Sequence, residues 1–79
     1  MSVSNRLTTM DDSVTFINSI VDGTYTDNPT WSLDDKKIVV SRNKEFLEKQ
    51  LLSDDIIADD TDKTPYNDAI TAANTFLEE

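Results

Sequence analysis

Cysteine and histidine are both missing from this chain, and its 79 residues include one glycine and two prolines. Without cysteine there is no disulfide and no thiolate, whether as nucleophile or as metal ligand. Without histidine the commonest general base and the commonest metal ligand are gone. One glycine is too few for a loop that cradles phosphate, and Cys/His or Ser/His nucleophilic pairs cannot be assembled. No stretch approaches the ~20 apolar residues of a membrane span. Met1–Thr9 has one arginine and no apolar run, unlike a secretory signal. Proline in Asn28-Pro29-Thr30 blocks glycosylation there, and Phe76–Glu79 carry no lipidation signal. The expectation is a soluble protein made in the cytoplasm, with no cofactor, no metal, no membrane contact and no enzyme activity.

What the chain does have is acid, and its distribution is uneven. The formal net charge is −9. Leu33–Leu52 carries five basic and four acidic residues, a balance of +1, whereas residues 1–32 carry −3 and residues 53–79 carry −7. Phosphate must be met by lysine and arginine, so acidic arms around one balanced segment exclude nucleic acid as a direct partner. They leave a protein partner or self-association. Apolar content of 37% sits below the roughly 45–50% typical of globular domains. A single domain of this length (residues 1–79) has a thin core, and small scaffolds often draw stability from association.

Helical punctuation divides the chain into three. Thr9 with Asp12 forms a T-x-x-D capping box, and Met10, Val14, Ile17 and Val21 then recur on one face, widened by Phe16 and Ile20. This predicts a first helix over about 10–22, closed by Gly23 as a left-handed cap. Asp27-Asn28-Pro29 marks a turn. Ser32 with Asp35 opens a second helix over about 32–52, although Ile38-Val39-Val40 also suits a short strand within Lys36–Ser41. Its stripe runs through Leu33, Val40 and Leu47, with Val39, Phe46 and Leu51 beside it. Residues 53–64 form an acidic connector in which Ile56-Ile57-Ala58 either tucks onto the bundle or stays out as a docking hook. A third helix over about 64–78 begins at Thr64 with Pro65 in its first turn, and Tyr66, Ile70, Ala73 and Leu77 form its face, flanked by Ala69 and Phe76. The fold class is therefore all-α, a small three-helix arrangement.

Each candidate site has a plainer counterpart. The aspartates at 54, 55, 59, 60 and 62 resemble a calcium loop only superficially. Counted from Asp60, Pro65 falls where glycine is needed and Thr71 where a bidentate glutamate is needed. Asp11, Asp12, Asp34, Asp35 and Asp68 are explained by helix starts, where negative charge complements the backbone N–H groups. On the second helix Lys36, Asn43 and Gln50 fall on one line through the apolar stripe. Either the stripe splits around a polar seam within the fold, or Asn43 sets register in a helix–helix interface. Tyr25 and Trp31 read either as a lid over the core or as interface anchors. The candidate protein interface is thus Val39, Val40, Asn43, Phe46, Leu47 and Gln50, with Tyr25 and Trp31. Ile38 and Leu52 lie off the stripe as further apolar surface.

The run Leu33-Asp34-Asp35-Lys36-Lys37-Ile38-Val39-Val40-Ser41-Arg42-Asn43-Lys44-Glu45-Phe46-Leu47-Glu48 resembles a pattern in short helical proteins of tailed bacteriophages. There an acidic helix start leads into an Arg-Asn pair and an apolar-Leu-Glu triplet. Thr64-Pro65-Tyr66-Asn67-Asp68-Ala69-Ile70 is similar to the opening of that group's second helix. The resemblance implies a phage-encoded accessory or virion protein that works through protein–protein contacts. It carries over no functional residue, because no catalytic or ligand motif defines the group. The alternative function is an acidic, DNA-mimic-type inhibitor of a host nucleic-acid-binding protein.

Overall fold

The Ser2 hydroxyl accepts a hydrogen bond from the Asn5 amide at 3.1 Å and caps the first helix. The computed structural model describes residues 2–79, in the order α1 (Val3–Val21), α2 (Leu33–Leu51), α3 (Asp54–Ala58) and α4 (Thr64–Leu77). No strand occurs among the described residues, and Lys36–Ser41 is helical throughout. Three long helices form the body, as the apolar spacing predicts, and a one-turn helix lies within the acidic connector.

The start of α1 corrects the sequence reading. The Thr9 box is not used. Thr9 sits mid-helix with its hydroxyl donating to the Asn5 carbonyl at 3.1 Å. Ser2 supplies an earlier cap, and Val3 and Leu7 pack against the core from the turns ahead of Met10. The end of α1 follows expectation. Gly23 has φ +81°, its amide donates to the Ile20 carbonyl at 3.3 Å, and the Thr24 amide reaches the Ser19 carbonyl at 2.9 Å. That pair of bonds is a Schellman closure.

At α2 the expected capping box is complete: Asp35 N–H donates to Ser32 Oγ (3.1 Å) and Ser32 N–H donates to Asp35 Oδ2 (3.0 Å). In the connector, Ile56 is fully buried while its neighbour Ile57 is 60% exposed, so the apolar island both tucks in and projects. Pro65 stands in the first turn of α4, and Asp62 Oδ1 accepts from the Thr64 amide at 2.9 Å.

Helices α1, α2 and α4 each pack on the other two, and α3 rests on α2. The core is Met10, Ile17 and Ile20 from α1, Val40 and Leu47 from α2, Ile56 from α3, and Tyr66, Ala69, Ala73 and Phe76 from α4. Two faces are rotated slightly from those predicted. On α1, Ser13 is buried and Val21 is exposed, because the inward row is Met10, Ser13, Ile17 and Ile20. On α4, Tyr66, Ala69, Ala73 and Phe76 point in, with Ile70 and Leu77 on the flank. Ala69 and Ala73 have little side chain, which lets α4 approach its neighbours closely.

Candidate interaction surface

The eight residues expected at an interface separate into four pairs. Val40 and Leu47 are completely buried in the chain's own core, so neither presents surface to a partner in this fold. Val39 and Phe46 are half-buried against that core and form its edge. Asn43 and Gln50 are half-buried as well, in line with Lys36. Asn43 Nδ2 donates to the Val39 carbonyl of its own helix at 2.8 Å, and Gln50 Oε1 accepts from Arg6 Nε at 3.0 Å. Asn43 and Gln50 of the polar line therefore find their partners inside the molecule. No buried side-chain nitrogen or oxygen among the described residues lacks a partner.

Tyr25 and Trp31 come together with Phe16 at one end of the bundle. Phe16 and Tyr25 meet edge to face with ring centroids 5.3 Å apart, and Tyr25 stacks on Trp31 at 5.4 Å and 21°. These separations are favourable for aromatic pairs. Asn28 Nδ2 donates to the Tyr25 hydroxyl and fixes the loop over the ladder. All three rings are half-buried, which is the disposition of a lid whose outer surface is still open.

At the other end of α1, Arg6 makes a contact that residue-by-residue reading missed. Its guanidinium donates to Gln50 Oε1 of α2, to Ser53 Oγ at 2.9 Å and to Asp55 Oδ2 of α3, forming an ion pair with the last. One side chain thus ties α1 to the α2–α3 corner. The signal was available: Arg6 lies one turn ahead of Met10 and continues the row Met10, Ser13, Ile17, Ile20. Hydrogen bonding from Ser53 and from Arg6, together with the Arg6 charge, holds the Asp55 carboxyl below its usual range.

A second cross-link joins α4 to α1. The Tyr66 hydroxyl, on a side chain 2% exposed, donates to Asp11 Oδ1 at 2.7 Å. Burial, and then the Asp11 carboxylate, push the phenol up to about 12. Asp11 was expected only as a helix-start charge. In the longer first helix it lies well inside α1 and serves as Tyr66's acceptor.

The acidic connector is ordered by its own hydrogen bonds. Asp59 Oδ1 accepts from the Thr61 amide at 3.0 Å, and Lys63 Nζ donates to the carbonyls of Asp59 and Thr61 at 2.6 and 2.7 Å. Hydrogen bonds from Thr61 lower the Asp59 carboxyl and those from Thr64 lower Asp62. No group of three or more potential metal-ligating side chains gathers, and no pocket opens, among the described residues. No helix among them is long and apolar enough to cross a membrane.

Apolar side chains remain on the outside. Leu52 is 80% exposed, Ile57 60%, Ile38 51% and Leu33 49%. Leu33 and Ile38 lie on α2 and Leu52 closes it, so most of this surface belongs to the charge-balanced segment. No family model, curated protein or solved structure matches the chain.

Proposed function

We propose that the chain is a non-enzymatic structural or adaptor protein that works through protein–protein contacts of its helices. The observation that carries this reading is the coincidence of exposed apolar side chains with the balanced segment. Ile38 and Leu52 project from α2, the helix that repels neither an acidic nor a basic partner strongly. The edge residues Val39 and Phe46 and the ladder of Tyr25 and Trp31 extend the usable surface. The likeness of Leu33–Glu48 and Thr64–Ile70 to short helical phage proteins suggests the setting, a virion component or an accessory protein of infection.

A photo-reactive residue placed at Ile38, and separately at Asp60, tests this in the cells that make the protein. Position 38 is expected to give a defined protein adduct that persists at about 0.5 M salt, where the Debye length is only a few ångströms. An adduct from position 60 alone, abolished by salt and by competing DNA, overturns the adaptor reading and favours the acidic inhibitor.

A further inference from the structure

We propose that Asp22-Gly23 is a site of spontaneous backbone modification, isoaspartate formation, which the closed end of α1 holds shut until that end opens. The chain's one glycine follows an aspartate, so this is its one Asp-Gly pair. Both residues are exposed. The reaction needs the nitrogen of the following residue to reach the side-chain carboxyl carbon. Glycine puts no side chain in the way, and nothing crowds the place where a Cβ would stand. The Gly23 nitrogen attacks Asp22 Cγ. A C–N bond forms, and the amide proton leaves with the side-chain hydroxyl as one water. The cyclic imide then takes water back at either carbonyl. One opening restores aspartate. The other runs the main chain through Asp22 Cβ and frees the α-carboxylate, with no net change in mass.

The folded turn opposes ring closure. Asp22 has φ −88° and ψ −3°. Closure brings the Gly23 nitrogen into line with Cβ about the Cα–C bond, a rotation of about 120°, the spacing of substituents on a tetrahedral carbon. The Gly23 amide is committed to the Ile20 carbonyl at 3.3 Å, and the Thr24 and Tyr25 amides to the Ser19 carbonyl at 2.9 and 3.1 Å. The rotation breaks all three bonds. The side chain is fixed as well, because Asp22 Oδ1 accepts from the Thr24 amide at 3.0 Å and from the Thr24 hydroxyl at 2.7 Å. These bonds sit at a helix end, where local opening is easiest.

Isomerisation lengthens the main chain by one carbon between α1 and the loop, so the Schellman pair cannot re-form as built. Tyr25, in contact with both Phe16 and Trp31, comes two residues after Gly23. The modification therefore loosens the aromatic lid from the end of α1.

The test incubates the full chain, folded and in guanidinium chloride above its unfolding transition, at about pH 5, where a free aspartate side chain is still partly protonated. Trypsin then releases Leu7–Lys36, and electron-transfer fragmentation locates the isoaspartate without confusing it with asparagine deamidation, which changes the mass. Isoaspartate should accumulate first at position 22, and about tenfold or more slowly in the folded protein, as for a turn open less than about a tenth of the time. Thr24→Val keeps the amide bond to Asp22 and deletes the hydroxyl bond. It should speed the folded protein several-fold, leave the unfolded rate nearly as it was and keep the native circular dichroism. Emission of Trp31, the chain's one tryptophan, should shift to the red in the purified isoaspartyl form.

Equal rates in the folded and unfolded chain overturn the gate, as does a folded Thr24→Val no faster than the parent. Isoaspartate appearing first at another aspartate overturns the site, and native Trp31 emission in the isoaspartyl form overturns its link to the lid.

Discussion

Arg6 and Tyr66 are polar residues in or beside the core, and each converts the approach of two helices into a defined register. Arg6 does so by three hydrogen bonds to Gln50, Ser53 and Asp55. Replacing it with alanine leaves those acceptors to water and removes a partly buried stem from the corner, so Arg6→Ala is expected to cost about 1–2 kcal/mol in urea unfolding. An unchanged denaturation midpoint would count against the clasp. Tyr66→Phe keeps the ring and deletes only the bond to Asp11, an expected loss of about 1 kcal/mol. The alkaline behaviour should change too. The phenol is held up to about 12 from an unfolded value near 10, so the neutral form is favoured by folding. Its stabilising effect is complete below pH 10 and is lost as pH rises from about 10 to 12. Tyrosinate absorbance should therefore show a late-titrating ring that is absent in Tyr66→Phe, whose melting temperature should fall less steeply across that interval.

Among the elements, the Schellman closure of α1 and the connector are the two most sharply defined joints. Gly23 has φ +81° with open space where a Cβ would stand, so any cost of Gly23→Ala is backbone strain and not collision. About 1–2 kcal/mol is expected, read as a lowered melting temperature without loss of helix signal. At the connector Asp55, Asp59 and Asp62 are all held below 3.8 by hydrogen bonds and neighbouring cations. Depressed carboxylates stabilise the fold above about pH 4, and their contribution is lost as pH falls through their folded values. Thermal melts between pH 7 and 2 should show this acid limb, and D59N/D62N should flatten it. Helix existence was legible because caps and spacing act over three or four residues. The start of α1 was not, because Thr9 with Asp12 has the local chemistry of a cap, and nothing local shows that the longer helix capped by Ser2 leaves it unused. Packing of Val3 and Leu7 against the core favours the longer helix.

At the scale of the molecule, one thin core must serve three long helices, and a chain of this size has roughly 4–12 kcal/mol of stability in total. Leu47→Ala, at a site with no exposure, should cost about 2–5 kcal/mol and leave much of the population unfolded at moderate urea. Phe46→Asp puts a charge at the half-buried edge beside it and is expected to disrupt folding or assembly. A variant that kept both the native mass in solution and the native melting temperature would refute any use of that edge.

What the sequence alone determined is the helical class, the place of the second and third long helices, and the division of charge into one balanced segment between acidic arms. These depend on periodicity, capping and composition, all of which are local. Only the tertiary structure decided which apolar residues are available. Val40 and Leu47 belong to the same stripe as Val39 and Phe46, yet the first pair is sealed inside and the second borders solvent. The difference arises because α1 and α4 cover α2 from two directions, and a one-dimensional stripe does not record where those covers end. Ile38 and Leu52, off the stripe, were legible from the sequence as outside, whereas only the packing of the helices brought Arg6, 44 residues away in the chain, against Gln50.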